Sequence, residues 1–305
     1  MKKKLTTIIP VIILLIGIGV FFYPTVANYW NSFHQSKAIR VYAEEVENLN
    51  DEEYARILEE AVSYNEKIAK NGIRWVLTDE EKAEYENTLN LGGTGMMAYI
   101  EIPKISVTLP IYHGTNDEVL ARSIGHIEGS SLPTDASSVH CVLSGHRGLP
   151  SAKLFSDLDE ITEGDVFMIR TLNEVLTYEV DQIRVVEPSD LSTLAIEKGK
   201  NYCTLVTCTP YGVNTHRLLV RGHRIETEDS HEIMILAEAL QIKTTYVALV
   251  IAVPLLFILA IIALLFRRKP KNTDPEAISN KLNEAAERKA RKEQKKQQRL
   301  QKKNK

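Results

Sequence analysis

The chain is poor in cysteine: its 305 residues contain three, Cys141, Cys203 and Cys208. None of them forms a CxxC pair, and no cysteine–histidine cluster has the spacing of metal ligands, so we predict no metal centre. An internal repeat and a glycine-rich phosphate loop are also missing, which excludes repeat architectures and P-loop nucleotide binding. Because the number of cysteines is odd, at least one thiol is free unless it pairs between chains.

Charge is missing from two long segments. Leu5–Tyr23 is 19 residues without a charge and Tyr246–Phe266 is 21, and each is close to the roughly 20 residues that cross a bilayer as a helix. Lys2–Lys4 precede the first segment, and the basic residues of 267–271 follow the second. The positive-inside rule therefore places both termini in the cytoplasm and the middle of the chain outside the cell membrane. Thr25-Val-Ala27 also fits a signal-peptide cleavage site; because the apolar run is long for a signal peptide, we favour a retained anchor.

The net charge of −3 hides an asymmetry. The tail, residues 267–305, has 15 Lys and Arg against 5 Asp and Glu, a net charge of +10; Lys2–Lys4 add +3, which leaves −16 on the rest. The domain between the apolar segments is therefore acidic. We interpret the tail as a basic cytoplasmic helix or disordered arm that lies against the anionic inner leaflet. Since this tether already explains the charge, we predict no nucleic-acid binding.

Between the apolar segments the sequence predicts a helical arm followed by a β domain. The arm is predicted to span residues 24–93, and from Gln35 to Lys70 its apolar side chains recur at helical spacing. Asn50 with Glu53 forms a capping-box pattern that begins a second helix, and Thr78 caps a third that runs to Leu89. At Gly92-Gly93 the pattern changes from helical to extended.

The β domain, residues 94–226, has seven or eight short runs rich in β-branched and aromatic residues, which is typical of a closed barrel or a sandwich. The runs are Met97–Pro103, Val107–His113, Val139–Leu143, Val166–Arg170, Val175–Val186, Tyr202–Cys208 and Arg217–Arg224. Short helices are predicted at Asp117–Ile124, Ser151–Leu158 and Asp190–Leu194. Residues 227–245 are expected to link this domain to the second apolar segment.

The three cysteines differ in context. Cys141 and Cys203 lie within apolar strands and fit small buried hydrophobic residues; a disulfide between them stays open. Cys208 instead ends an alternating strand, Thr204-Leu-Val-Thr-Cys208, and a turn follows at once. A side chain at this position is easily exposed, so Cys208 is a candidate nucleophile.

Two further residues can complete a thiol site. His146 lies in the glycine-flanked loop Ser144-Gly-His-Arg-Gly148, directly after a strongly apolar strand, and glycines there permit close approach of another segment. Arg217 opens the strand that follows Cys208, and a guanidinium is a permanently charged donor for an oxyanion or a substrate carbonyl. A structural role for either residue is the alternative. His140 is expected to be packed or paired.

These motifs resemble the signature of the sortases, the membrane cysteine transpeptidases of Gram-positive bacteria. The resemblance covers roughly Gly95–Glu226 and rests on TLVTC at 204–208 with Arg217, LSGHRGLP at 143–150, YIEIPK at 99–104 and PIYHG at 110–114. The helical arm and the second apolar segment resemble class C, the pilin-polymerising branch. The resemblance implies a mainly β fold, an eight-stranded barrel with an N-terminal helical arm and two flanking transmembrane helices, and no cofactor.

The resemblance also implies roles for the three residues. Cys208 would attack the carbonyl after the threonine of an LPxTG-like sorting signal and form a thioacyl enzyme. His146 would act as general acid and base, and Arg217 would stabilise the oxyanion. The implied partners are pilin or surface proteins with C-terminal LPxTG-like signals, and in class C the acceptor is a pilin lysine.

One segment departs from the class C pattern. Many class C enzymes have an inhibitory lid with an Asp-Pro-aromatic motif, whereas residues 72–79 of this chain contain no Asp-Pro. Trp75 is the candidate plug for the cleft, with Arg74 or Asp79 as its polar anchor. Alternatively, Trp75 only packs the arm onto the barrel.

Three other functions stay open at this point. The enzyme can use a peptidoglycan amine as acceptor and anchor proteins to the cell wall. It can be a secreted thiol protease with a Cys-His pair, for which water is the acceptor. It can also be a catalytically silent barrel that binds peptides or pilins.

Overall fold

A computed structural model of the chain describes residues 2–227 and 275–303. Its helices are α1 Lys2–Glu47, α2 Asp51–Asn71, α3 Asp79–Asn87, α4 Asp117–Leu120 and, in a second unit of the chain, α5 Pro275–Lys303. Its strands are β1 Met96–Ile102, β2 Val107–His113, β3 Ile124–His126, β4 Val139–Ser144, β5 Val166–Thr171, β6 Glu174–Val186, β7 Asn201–Thr209 and β8 His216–Ile225.

The eight strands close into one barrel in the order β1-β2-β3-β4-β7-β8-β6-β5, which confirms the predicted eight-stranded barrel. The pairs β2–β3 and β4–β7 are parallel, and the other pairs are antiparallel. Because side chains alternate along a strand, Cys141, Leu143 and Leu205 join the main buried core, whereas Val142 and Val206 belong to a separate apolar cluster on the outer face.

The N-terminal helix α1 is one continuous helix that contains Pro10 and Pro24. Its segment Ile12–Glu47 contains an 18-residue window with a mean hydropathy of 1.8 and is long and apolar enough to cross a membrane. The predicted first span and the start of the predicted arm therefore form a single helix. Farther along, the buried Tyr42 hydroxyl donates to Met97 O and accepts from Leu172 N, both at 2.9 Å, so the C-terminal half of α1 is fixed to the barrel.

The two predicted helix starts are confirmed, since both capping boxes are formed. Asn50 with Glu53 begins α2, and Thr78 with Glu81 begins α3. In each of these helices a buried polar side chain forms hydrogen bonds with the barrel domain. The Asn65 amide of α2 donates to Leu132 O at 2.9 Å and accepts from Leu132 N at 2.7 Å. These two contacts replace the backbone pairing that Leu132 lacks in its loop.

Helix α3 is attached through Tyr85, which is fully buried. Its hydroxyl donates to His126 O at 3.0 Å and accepts from Gly114 N at 2.9 Å. Burial, the largest cause, raises the Tyr85 pKa well above its ordinary value, so the hydroxyl stays protonated and keeps its donor. The segment between α2 and α3, residues 72–78, is therefore held at both of its ends.

All three predicted short helices are wrong in part or whole. The helix at Asp117–Ile124 ends at Leu120, and Ile124 begins the short strand β3, which the sequence pattern did not indicate. Ser151–Leu158 is a series of turns, because Phe155 N donates to His146 O and Leu154 has a φ of +42°. At Asp190–Leu194 only Ser192–Leu194 is helical, as a 3-10 turn.

Three other expectations concern the pair Cys141 and Cys203, the basic tail and the second apolar segment. Cys141 and Cys203 are in-register neighbours on β4 and β7, yet both are free thiols, and burial raises the pKa of Cys203 well above its ordinary value. Part of the basic tail is helical, over Pro275–Lys303. The predicted second span at 246–266 lies outside the described residues, as does most of the predicted linker.

Candidate active site

Cys208 and Arg217 lie opposite each other in the ladder between β7 and β8. Cys208 is a free, half-buried thiol. By alternation it faces the same side as Val206, and Arg217 faces the same side as Leu219, which is the outer side of the barrel. The described contacts of the Arg217 guanidinium are with the backbone carbonyls of Asn214 at 3.3 Å and His216 at 3.1 Å, so its positive charge is not neutralised by a carboxylate there.

His146 is held beside the end of β7 by the residue before it. Gly145 N donates to Val206 O at 3.0 Å, and the Thr207 hydroxyl donates to Gly145 O at 2.7 Å. A Cβ on Gly145 would lie 2.5 Å from Ile124 Cδ1 and 2.7 Å from the Phe155 ring. Only glycine fits this position, which confirms the expected close approach in this loop. The loop therefore connects directly to the two residues that precede Cys208.

An apolar cluster, referred to below as the groove, lies on the outer face of the barrel, on the same side of β7 and β8 as Cys208 and Arg217. It consists of Val142, Leu194, Val206 and Leu219, with Ile127 and Val186 packed against them. Trp75 is half-buried against the same cluster, so the segment between α2 and α3 covers the groove. Side chains alternate along this segment: Ile73, Trp75 and Leu77 are half-buried, while Val76 is 82% exposed.

Comparisons with known proteins agree on one family. A profile of the sortase domain matches residues 100–225. The crystal structure of sortase C1 from Streptococcus agalactiae is similar to this chain with 53% identity and a TM-score of 0.62, and the match covers 63% of this chain and 100% of that one. The chain belongs to the sortase family.

Other sortases are similar over parts of the chain. Clostridium perfringens sortase C, in a structure with the C-terminal cell wall sorting motif, is 39% identical with a TM-score of 0.55, over 63% of this chain and 99% of that one. Sortase D of Bacillus subtilis is 31% identical over 129 residues, which is 41% of this chain and 62% of that relative. Sortases are cysteine transpeptidases.

The sortase site also contains a residue that sequence reasoning missed. Arg147 follows His146, and its side chain is only 9% exposed. Its guanidinium donates to Ser156 O at 3.2 Å, Thr209 Oγ1 at 3.3 Å and Asp159 Oδ2 at 2.5 Å. Arg147 thus joins the His146 loop to the residue after Cys208. The one sequence feature that could have indicated a role for Arg147 was its place inside the SGHRGLP motif. An arginine in a loop does not by itself indicate burial.

The two predicted polar anchors of Trp75 lie at the start of α3 or are paired with it. Arg74 forms an ion pair with Glu81 at 2.5 Å, and Asp79 is exposed in the first turn of α3. The backbone of the covering segment also approaches the barrel closely. A Cβ on Gly129, whose φ is +83°, would lie 1.9 Å from Arg74 O, so the segment rests directly on the loop after β3.

His140 fixes the loop that supplies Leu194 to the groove. Its Nδ1 lies 2.8 Å from Ala195 O, and its Nε2 lies 2.8 Å from the Thr204 hydroxyl. Since a carbonyl only accepts, Nδ1 donates, and in the neutral imidazole Nε2 then accepts from the Thr204 hydroxyl. Burial lowers the His140 pKa below its ordinary value, which favours the same form. The expectation that His140 is packed and paired is confirmed.

Proposed function

We propose that this sortase is a membrane-anchored cysteine transpeptidase that cleaves an LPxTG-like sorting signal and joins the acyl fragment to a pilin lysine. The observation that carries the proposal is the pairing of Cys208 with Arg217 at the end of the apolar groove. A nucleophile and a fixed positive charge beside an apolar channel suit a peptide whose carbonyl must be attacked and whose oxyanion must be stabilised.

The chemistry follows in two acyl transfers. The Cys208 thiolate attacks the carbonyl carbon of the signal threonine, and the peptide C–N bond breaks as His146 gives a proton to the leaving amine. A lysine amine then attacks the thioester carbon and loses its proton to His146, and the C–S bond breaks to release the Cys208 thiolate. In both steps the oxyanion forms next to Arg217. The thioester intermediate is what permits transfer to an amine rather than to water.

The choice of substrate and acceptor rests on the relatives. The Clostridium perfringens sortase C neighbour was determined with a C-terminal cell wall sorting motif, which supports a sorting signal as the substrate here. The pilin acceptor is proposed from the similarity to class C enzymes, whose helical arm this chain shares. The apolar helix α1 supports membrane anchorage, with the barrel outside the cytoplasm.

Residues 72–79 are proposed to form a lid that inhibits the resting enzyme. Trp75 packs on Val142, Val206 and Leu219, so a signal peptide must displace the indole before its own apolar residue can enter the groove. The lid is anchored by Asn65 on one side and Tyr85 on the other. Opening of the lid is thus a local movement between Asn65 and Tyr85, and the helices of the arm stay in place.

The test is an acceptor competition with the full chain in detergent micelles. An LPxTG-type peptide is offered with a lysine-containing pilin fragment, with a peptidoglycan-type amine, or with no amine, and the products are weighed by mass spectrometry. We expect an isopeptide-linked product with the pilin fragment and none from Cys208→Ala. Transfer only to the peptidoglycan-type amine would indicate a wall-anchoring enzyme. Hydrolysis unaffected by either amine would indicate a protease.

A further inference from the structure

The uncharged part of α1 is longer than a hydrocarbon core requires. No Lys, Arg, Asp or Glu occurs from Leu5 to Ser36, which is 32 residues, and α1 is helical throughout this stretch. At 1.5 Å per residue it measures about 48 Å, against about 30 Å for the hydrocarbon core and about 40–45 Å for a bilayer with its headgroup layers. The helix therefore has enough uncharged length to pass through a headgroup layer beyond Tyr23.

One face of this additional length is apolar and exposed. Tyr23, Val26, Trp30 and Phe33 follow one another at intervals of three and four residues, which places them on a single helix face. Trp30 is 64% exposed and Phe33 is 52% exposed. Tyrosine and tryptophan are enriched where a membrane helix crosses the interface with water, so this face has the composition of an interfacial segment.

The opposite face of the same residues binds the barrel. Asn28 Oδ1 accepts from Lys153 N at 2.8 Å, Asn31 Nδ2 donates to Ser151 O at 2.8 Å, and Gln35 Nε2 donates to Arg122 O at 2.6 Å. Hence no linker separates the apolar helix from the catalytic domain: the barrel begins to contact α1 at a residue that is still within the uncharged stretch.

The barrel segment that α1 holds belongs to the active-site end. Ser151 and Lys153 lie in the connection between β4 and β5, which begins with the His146 loop, and Phe155 N of this connection donates to His146 O at 3.1 Å. The distance that α1 sets between membrane and barrel is therefore also the distance between membrane and active site.

We propose that the apolar face of α1 from Tyr23 to Phe33 lies in the headgroup layer of the bilayer, and that the β4–β5 connection rests on the membrane surface. The partner of this surface is the lipid bilayer. The Cys208 end of the barrel then opens beside the lipid, where it meets a signal peptide at the membrane surface instead of in bulk solvent. This inference rests on the proposed membrane anchorage, and it is independent of which amine accepts the acyl group.

The two tryptophans of the chain, Trp30 and Trp75, permit a direct test in the full chain reconstituted in lipid vesicles. Trp75→Phe leaves Trp30 as the sole reporter, and Trp30→Phe leaves Trp75 as the matched control. Each is measured with lipids brominated near the headgroup end of the acyl chains or near the chain ends. We expect loss of Trp30 emission with the first lipid and less loss with the second, and no loss for Trp75. Trp30 emission unchanged by both lipids, or lost mainly with the second, would overturn the proposal.

A second pair of reporters tests the barrel itself. In a chain with Trp30→Phe and Trp75→Phe, Pro150→Trp places an indole on the exposed loop next to Ser151. Lys200→Trp places one before β7, at the opposite end from Cys208. With a quencher attached to the lipid headgroup, we expect loss of emission from Pro150→Trp and not from Lys200→Trp. Equal emission losses at the two positions would contradict contact between the β4–β5 connection and the membrane surface.

Two controls separate this inference from the proposed reaction. Flotation of the vesicles shows whether the chain is bound to lipid. A chain that does not float with the vesicles would contradict both the membrane anchorage and the proposed contact of the β4–β5 connection with the membrane surface. Acylation by a soluble signal peptide is measured on the same preparations. If acylation proceeds while Trp30 emission is unchanged by both lipids, the membrane surface is refuted and the transpeptidase chemistry stands. If Trp30 emission is lost as expected but no acylation occurs, the membrane surface stands and the transpeptidase chemistry is refuted.

Discussion

Cys208 and Arg217 are fixed to each other by backbone register, since they are direct partners in the antiparallel ladder of β7 and β8. Directly opposite residues in such a ladder have Cα atoms about 4.5–5.5 Å apart. The turn between the strands follows immediately, so both side chains project at the open end of the barrel. The backbones of the two residues therefore stay adjacent in every state that preserves the ladder.

Substitution of Arg217 by lysine should lower the rate of acylation. Lysine keeps the positive charge but loses the planar set of donors, and loss of one oxyanion donor costs on the order of 10²–10³ in kcat. The rate of cleavage of a signal peptide measures the effect. Arg184→Lys, at an exposed arginine of the neighbouring strand β6, is the matched control and should be unchanged. Equal rates for the two variants would contradict the role of Arg217.

Removal of the Trp75 indole should activate the enzyme. Because Trp75 packs on the groove, Trp75→Ala weakens the closed state, and each 1.4 kcal/mol lost raises the open population about tenfold. We expect faster thioester formation, while Val76→Ala, which changes a side chain that is 82% exposed, leaves the rate unchanged. A lower rate together with a lower unfolding midpoint would mean that Trp75 only packs the arm onto the barrel.

Arg147 is predicted to be a positioning residue. Arg147→Lys removes the fork that links Ser156, Thr209 and Asp159, and a small misplacement of reacting groups costs up to about 10²-fold in rate. We expect a lower kcat, a KM close to that of the parent chain and an altered pH–rate profile. The control is Arg122→Lys, an exposed arginine paired with Glu118 at 3.0 Å. A lower unfolding midpoint with unchanged kcat would assign Arg147 to stability alone.

These residues show what sequence can and cannot give for this fold. Cys208, His146 and Arg217 were selected because a strand end, a glycine-flanked loop and a motif are local features. Arg147 was missed because its burial depends on Thr209, which is 62 residues away in the chain. The three-residue strand β3 was not predicted, and its first residue, Ile124, falls in a predicted helix, because β3 is defined by its pairing with β2 and β4 and not by a local pattern. Arg74 and Asp79 remain the predicted polar anchors of Trp75, but no sequence pattern indicated that the Arg74 carbonyl lies against Gly129.

The buried His140 should make stability depend on pH. Burial lowers its pKa below the ordinary 6.5, so the unfolded chain binds the proton more tightly than the folded chain does. The stability is fully present above about pH 6.5 and is lost as the pH falls from there toward the folded-state pKa. We expect the urea midpoint to decrease between about pH 7.5 and pH 5.5.

The matched variant for this prediction is His140→Gln. Its amide can still donate to Ala195 O but does not titrate, so the urea midpoint should depend less on pH than that of the parent chain. Part of the remaining pH dependence comes from His113, because burial lowers its pKa too. Parallel pH dependences for the two chains would mean that His140 does not contribute.

Intact-mass spectrometry of the chain after mixing with an LPxTG-type peptide decides whether Cys208 forms a thioacyl enzyme. We expect a covalent adduct with the mass of the fragment that ends in threonine, absent in Cys208→Ala and more abundant when residues 72–79 are deleted. An adduct that persists in Cys208→Ala would contradict Cys208 as the nucleophile. Absence of an adduct in both cysteine-containing forms, across several signal peptides, would contradict a thioacyl enzyme and favour a barrel that only binds peptides.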